Sequence, residues 1–418
     1  MARPRGLATV FEVADRSPRA DEREHLAQVP LTYRVVQVSR VRLNPYVRLL
    51  QTALLEAGVP CSTTEELSPL HSPFPAQNAG WSTELPGVAN ILHLHWLELL
   101  YSAPTQGRSV RRLAAVLAGL AWVKAHGGKI VYTVHNLQPH EQDAPALNRA
   151  ANIALSALVD AWHVHDEEAK TGAARVYGRP DRIYVIPHGS YVGAYPNDCT
   201  RKEARARLGL AERAFVYLCL GQIRRYKGIE DLIVAFKRLS ADGGDCQLVL
   251  AGHAHDPAYA TSLSELTLGQ GGIHTWFHYI EDAELQHFMN ACNVCVLPYR
   301  DITTSGAAIL AFSFGRPVVA PALGGFPELV ADGRGIVYDP KASDGLLLAL
   351  QQVRSEDMET AGHKALAWAT QHDWRALVPR FMRIYESVLG NNPASPANPV
   401  NPVKNTGRSA SPSHLAQA

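Results

Sequence analysis

At 418 residues the chain is long enough for two domains of ordinary size, each with a sizeable core. Its 40 basic side chains are balanced by 39 acidic ones, so no global field of charge points to nucleic acid as a partner. The six cysteines are scattered, several in apolar runs, which argues against a disulfide framework and for reduced thiols in a cytoplasmic protein.

Residues 1–30 are rich in Arg, Asp and Glu and lack the continuous apolar stretch of a secretory signal, so they read as a disordered tail. From residue 33 onward strands and helices alternate. Strands are predicted at 33–39, 90–95, 129–134, 161–165 and 183–187, with helices at 46–56, 108–125 and 146–158. A second series of strands follows at 215–220, 247–251, 273–277, 294–297, 317–320 and 336–338, again with helices between. The fold class is therefore α/β, as two Rossmann-like doubly wound units with a cleft between them. The expected division is 31–198 for the first domain, 199–373 for the second, a helix at 374–389, and a disordered tail at 390–418 that is poor in large apolar residues.

Two stretches carry chemistry. The apolar strand 294–297 breaks at Pro298, and Thr303, Thr304, Ser305 and Gly306 then stand just ahead of a helical pattern. Hydroxyls and backbone N–H groups at a helix N-terminus make an anion site. Gly221-Gln-Ile-Arg-Arg-Tyr-Lys-Gly228 follows another strand and brings cations to the same end of the sheet. A third feature is imidazole-rich: His93 and His95, like His163 and His165, lie two apart and so share one face of a strand. Polar residues collect where parallel strands end at a cleft, so no metal site is assigned to them. Cys292 and Cys295 have redox spacing, but no second pair answers them.

The stretches 294–330 and 220–236 resemble, in order and about 80 residues apart, the two donor-binding signatures of GT-B glycosyltransferases of the glycosyltransferase 4-like group. The resemblance implies the GT-B fold, a terminal helix that crosses back to the first domain, and a sugar-nucleotide donor whose diphosphate is held by Gly221, Arg224, Lys227, Thr303, Thr304, Ser305 and Gly306. Preorganised cations stabilise the charge that grows on the leaving diphosphate, so neither a cofactor nor a metal is expected. The group more often has Arg directly after the glycine; here Gln222 stands there and Arg224 is the replacement. His135 matches a histidine that approaches the transferred sugar, and Glu141, with Asp143 on the same loop, is a candidate base. The first loop lacks the group's glycines, and Arg40, Arg42 and Asn44 are open between a cleft-facing and a solvated role.

One departure is larger. Many members, the retaining ones especially, carry two glutamates eight positions apart, where this chain has Ile302 and Leu310. The Thr-Thr-Ser-Gly run instead resembles β-mannosyltransferases of the same fold, including bacterial exopolysaccharide relatives, whose chemistry is inverting. The expected function is transfer of a sugar, GDP-mannose being the preferred donor, to a glycan or lipid-linked glycan. A non-catalytic sugar-nucleotide-binding protein and a sugar-nucleotide epimerase are the alternatives. The uncharged run 113–123, behind Arg108, Arg111 and Arg112, is too short to span a bilayer and is read either as a crossover helix or as a peripheral contact with the cytoplasmic membrane face.

Overall fold

The computed structural model describes residues 33–41, 44–65, 67, 89–137, 144–241, 243 and 245–390. The first unit runs β1 (Tyr33–Val38), α1 (Tyr46–Glu56), β2 (Cys61–Thr64), β3 (Ala89–His95), α2 (Glu98–Tyr101), α3 (Gln106–Ala125), β4 (Lys129–Thr133), α4 (Pro145–Leu158), β5 (Ala161–Val164), α5 (Glu167–Tyr177) and β6 (Ile183–Val185). Its six parallel strands are ordered β2-β1-β3-β4-β5-β6. The second unit runs α6 (Arg201–Leu208), β7 (Phe215–Leu220), α7 (Ile229–Ala241), β8 (Cys246–Ala251), α8 (Pro257–Thr267), β9 (Ile273–Trp276), α9 (Leu285–Ala291), β10 (Val294–Val296), α10 (Gly306–Ser313), β11 (Val318–Pro321), α11 (Phe326–Val330), β12 (Gly335–Tyr338), α12 (Gly345–Gln352) and α13 (Met358–Gln371), before α14 (Trp374–Leu389). Its sheet is also parallel, in the order β12-β11-β10-β7-β8-β9. Both sheets change direction once, between β1 and β3 and between β7 and β10. Crevices at such switch points, beyond the carboxyl ends of the strands, are where ligands bind in open α/β sheets.

The strands read as apolar runs because helices cover both faces of each sheet: β7 and β8 are buried almost throughout. Edge strand β2 escapes sequence reading for the opposite reason. Its residues Cys-Ser-Thr-Thr show no apolar alternation and it is only half-buried beside β1. The run 113–123 lies in α3, where Leu113, Val116, Leu120 and Val123 enter the first-domain core beside Leu92 and Ile130. Its apolar character is thereby used for crossover packing between β3 and β4. Among the described residues no helix is long and apolar enough to cross a membrane.

Helix α14 packs on the first unit. Its Trp374, Leu377, Phe381, Ile384 and Tyr385 share a core with Tyr33, Tyr46, Leu50 and Leu54. Arg375 clasps Glu56 at 2.7 and 3.1 Å, while the preceding α13 packs on α10 of the second unit. The chain thus crosses between units twice, and the crossings are tied together: Ser190 N–H donates to His372 O at 2.9 Å, and Trp374 Nε1–H donates to Ser190 O at 2.8 Å.

Candidate functional site

Two loops of the second unit meet at its switch point. The loop after β7 turns at Gly228 with a φ of +62°, and a Cβ there would collide with the Pro298 carbonyl oxygen of the loop after β10. Glycine is required on both counts. The loops are further joined by the Arg300 N–H, which donates to Tyr226 O at 2.7 Å. Within this packing Lys227 is buried, with its ammonium 5.0 Å from the centre of the Tyr299 ring and close over Gly221. The neighbouring cations are paired: Arg225 meets Asp256 at 3.2 Å, and Arg300 meets Asp231 at 2.9 Å. Among the described residues no carboxylate pairs with Lys227, and the ring facing its ammonium is that of Tyr299. Arg224 is half-buried and donates from Nε to Gln222 Oε1 at 3.0 Å.

The Tyr299 hydroxyl neighbours the Ser305 side chain, which links the lysine to the start of α10. Ser305 caps that helix, its hydroxyl accepting from Ala308 N–H at 3.2 Å. Gly306 opens the helix, and the Tyr191 hydroxyl lies 3.4 Å from where its Cβ would stand. Ile302 and Leu310 pack into the second-domain core. No carboxylate stands at either position.

The facing wall is made by the ends of β3, β4, β5 and β6. It holds six buried histidines, His93, His95, His135, His163, His165 and His188; the Tyr46 ring meets those of His95, His135, His165 and His188 edge-on at centroid distances of 4.7 to 5.6 Å. Hydrogen bonds assign several tautomers. His163 Nε2 faces the Ile186 carbonyl at 2.9 Å and so donates, leaving Nδ1 to accept from the Thr133 hydroxyl at 3.0 Å. Thr133 in turn accepts from His93 Nε2–H at 2.7 Å, and His93 Nδ1 accepts from the Tyr385 hydroxyl of α14 at 2.9 Å. Burial holds all six imidazoles neutral, pushing His95 and His163 down to about 3 and His188 to about 4. Both nitrogens of His93 and His163 are spent on these bonds. Among the described residues no group of three or more His, Cys, Asp or Glu side chains is arranged to hold a metal.

His135 sits at the end of β4, its Nε2 3.2 Å from His95 Nδ1 and its ring stacked on Trp96 at 3.6 Å. Trp96 has a φ of +44°, a strained conformation for a bulky residue, which the surrounding ring packing over-determines. Two residues beyond His135, Leu137 N–H donates to the Thr303 hydroxyl at 3.3 Å, across the two units. Asp166 follows β5 and caps α5, its Oδ1 accepting from Ala169 N–H at 2.7 Å. The Thr304 hydroxyl lies beside its carboxyl group. Burial is the main reason its pKa is lifted to about 6; Glu328 and Glu168 add to the rise, and the bond from Ala169 N–H and the nearby Thr304 hydroxyl oppose it.

Between the walls lies a cavity of about 90 Å³, open to solvent, to which the first unit contributes His165, Asp166 and His188 and the second contributes Thr303, Thr304 and Glu328. The structure sets Thr303, Thr304 and Ser305 on the cavity and ties Thr303 to Leu137, while His135 itself is enclosed by His95, Trp96 and Tyr46; Gly221 and Lys227 lie behind Tyr299. Arg224 is bonded to Gln222 on the loop after β7. Glu141, Asp143 and Arg42 lie outside the described residues. Asp166 and His188 were not singled out from the sequence. The available signals were a helix-capping Asp in His165-Asp-Glu-Glu168 and the Pro187-His-Gly189 turn after a strand. Cys292 and Cys295 are buried free thiols with sulfurs 4.0 Å apart.

Comparisons with known proteins agree with this architecture. The family model for glycosyl transferases group 1 matches residues 200–365. A GDP-mannose:glycolipid 4-beta-D-mannosyltransferase of Xanthomonas campestris is 27% identical over 307 residues, covering 72% of this chain and 81% of that protein. A D-inositol 3-phosphate glycosyltransferase of Catenulispora acidiphila is 27% identical over 327 residues, covering 73% of each. Among solved structures, sucrose-phosphate synthase from Thermosynechococcus elongatus superposes with a TM-score of 0.64 at 19% identity, over 86% of this chain and all (100%) of that one. HepE of Anabaena in complex with UDP superposes with a TM-score of 0.64 at 17% identity, over 85% of this chain and 100% of that one. Residues 200–365 thus carry the glycosyl transferases group 1 domain within two parallel six-stranded units of GT-B fold, and the chain is a glycosyltransferase.

Proposed function

We propose that the enzyme moves mannose from GDP-mannose to a lipid-linked glycan with inversion at the anomeric carbon. The observation that carries the donor-site reading is Lys227: a buried ammonium with no carboxylate partner among the described residues, set between Gly221 and Tyr299 at the switch point, is matched to a diphosphate. The choice of mannose draws on the likeness to the Xanthomonas enzyme, which is named for GDP-mannose and a glycolipid. Inversion draws on the absence of carboxylates at Ile302 and Leu310, with no acidic group at either place to assist from the donor side.

In this reading the diphosphate rests against Lys227, with Arg224 recruited from Gln222, and the N-terminus of α10. The sugar extends from there toward Thr303, Thr304 and His135. An acceptor hydroxyl arrives from the first unit and attacks the anomeric carbon opposite the departing phosphate. A membrane-borne acceptor is supported by α3 and α4, which contain no Asp or Glu and expose Arg108, Arg111, Arg112, Val110 and Ile153.

The test is a thermal-shift and turnover panel with GDP, UDP, ADP and their sugar nucleotides, offering alkyl glycosides as acceptors. Selective stabilisation by GDP, GDP-mannose turnover and a β-linked product by NMR are expected. Preference for UDP or an α-linked product overturns the assignment.

A further inference from the structure

Resting on that transferase reading, we infer that Asp166 is the general base that deprotonates the acceptor hydroxyl. The carboxyl group stands at the carboxyl end of β5, on the first-unit wall of the cavity, opposite Thr303, Thr304 and Gly325 of the second unit. One oxygen is anchored to the N-terminus of α5. The other lies so close to Gly325 that a Cβ on that glycine would collide with it, so the base is held against the donor-side loop itself. Asp166 is only 7% exposed, and among the described residues no cation pairs with it. A buried carboxylate without a counter-ion is costly to folding, and sites that keep one in a cleft are candidates for chemistry.

The surroundings suit the task. The charged and titratable groups facing it are Glu328 from α11, Glu168 from its own helix, and His165, His188 and His372 around the cavity. The two carboxylates and burial make Asp166 more basic, toward the pH at which a base is most effective. The neighbouring histidines are weaker candidates. His135 gives Nε2 to His95 and stacks on Trp96, and His165 gives Nδ1 to the Ile186 carbonyl and keeps Nε2 as its basic nitrogen, but burial depresses the basicity of both.

The step balances as follows. The carboxylate takes the proton of the acceptor hydroxyl while that oxygen bonds to the anomeric carbon. The bond from this carbon to the β-phosphate oxygen breaks, its electron pair leaving on the nucleoside diphosphate, whose charge meets Lys227. Protonated Asp166 then passes its proton to water.

Asp166→Asn is a clean probe, because Asn caps helices about as well as Asp and leaves the fold in place while removing the basicity. The experiment compares wild type, Asp166→Asn and Glu141→Gln for nucleotide release from GDP-mannose with alkyl glycosides or water as acceptor, across pH 5 to 8, alongside GDP affinity by calorimetry. For Asp166→Asn we expect unchanged GDP affinity, a fall in kcat on the order of 10²- to 10⁴-fold, and loss of the acid limb of the wild-type profile. Turnover close to wild type, a loss of GDP affinity in proportion to activity, or disappearance of the acid limb in Glu141→Gln instead overturns the assignment. A wild-type protein silent toward every sugar nucleotide overturns the transferase reading itself, and shows the failure before any variant is compared.

Discussion

The Leu137 N–H donates to the Thr303 hydroxyl at 3.3 Å, joining the loop after a first-unit strand to the loop after β10 of the second unit. With Asp166 pressed against Gly325, it shows that the described conformation is one in which the two walls touch.

Closure should therefore be sensitive to a single methyl group. Gly325 has a φ of −74°, so alanine is allowed by the backbone, but its Cβ would strike the Asp166 carboxyl group. Gly325→Ala is expected to leave thermal stability within about 1 kcal/mol, the ordinary range for a substitution outside the core. It should widen the interdomain angle seen by small-angle scattering with GDP bound, and lower kcat roughly 10²-fold, as small misplacements of reacting groups do. Wild-type turnover would show that this contact is not part of the reactive state.

The two donor-site cations should not be equivalent. Lys227 is buried and unmatched by a carboxylate, whereas Arg224 is half-buried and bonded to Gln222. Lys227→Met keeps the packing on Tyr299 and removes the charge; GDP affinity is expected to fall about 10²-fold, a loss of about 2.7 kcal/mol. Arg224→Ala should cost less, about tenfold, and the double variant should abolish binding. Calorimetry with GDP decides the order.

Acid should unfold the first unit early. An imidazole whose folded pKa is depressed binds fewer protons than in the unfolded chain, so its stabilising contribution is present above the unfolded value of about 6.5 and lost as pH falls from there toward the folded value. For His95 and His163 that folded value is about 3 and for His188 about 4, with His93, His135 and His165 shifted the same way. Each group can cost up to about 1.4 kcal/mol per pH unit, so six together consume an ordinary domain stability within about two units below 6.5. Asp166 acts with the opposite sign, since its pKa is raised to about 6 and its neutral form favours the fold below that value. One carboxyl group does not offset six imidazoles. Urea denaturation at pH 7.5, 6.0 and 5.0 should show the midpoint falling steeply, and a flat profile would contradict the neutral assignment.

Thr133 is the middle of the chain from Tyr385 through His93 to His163. Thr133→Val keeps the shape but leaves His93 Nε2–H and His163 Nδ1 without a partner. The expected loss is about 2–6 kcal/mol, from about 1–3 kcal/mol for each of the two unsatisfied buried groups. Thr133→Ser, which keeps the hydroxyl, should recover most of it in the same denaturation assay.

The alternation of buried strands and amphipathic helices was legible because its causes are local: parallel strands covered on both faces must be apolar along their length, and helix faces repeat with the turn. The turns at Gly228 and Ser305 were legible for the same reason, since a glycine and a Ser cap are chosen by the backbone within a few residues of them. β2 was missed because an edge strand of Cys, Ser and Thr carries no such pattern. Tertiary structure alone decided which side chains oppose the donor loops. His93 meets Tyr385 across 292 residues of chain, and Asp166 meets Gly325 only because sheet order places the end of β5 opposite α11. Sequence spacing determines which face of a strand a side chain takes, but convergence between two domains depends on how strands are ordered and how the domains dock, and that is set by packing summed over the whole molecule.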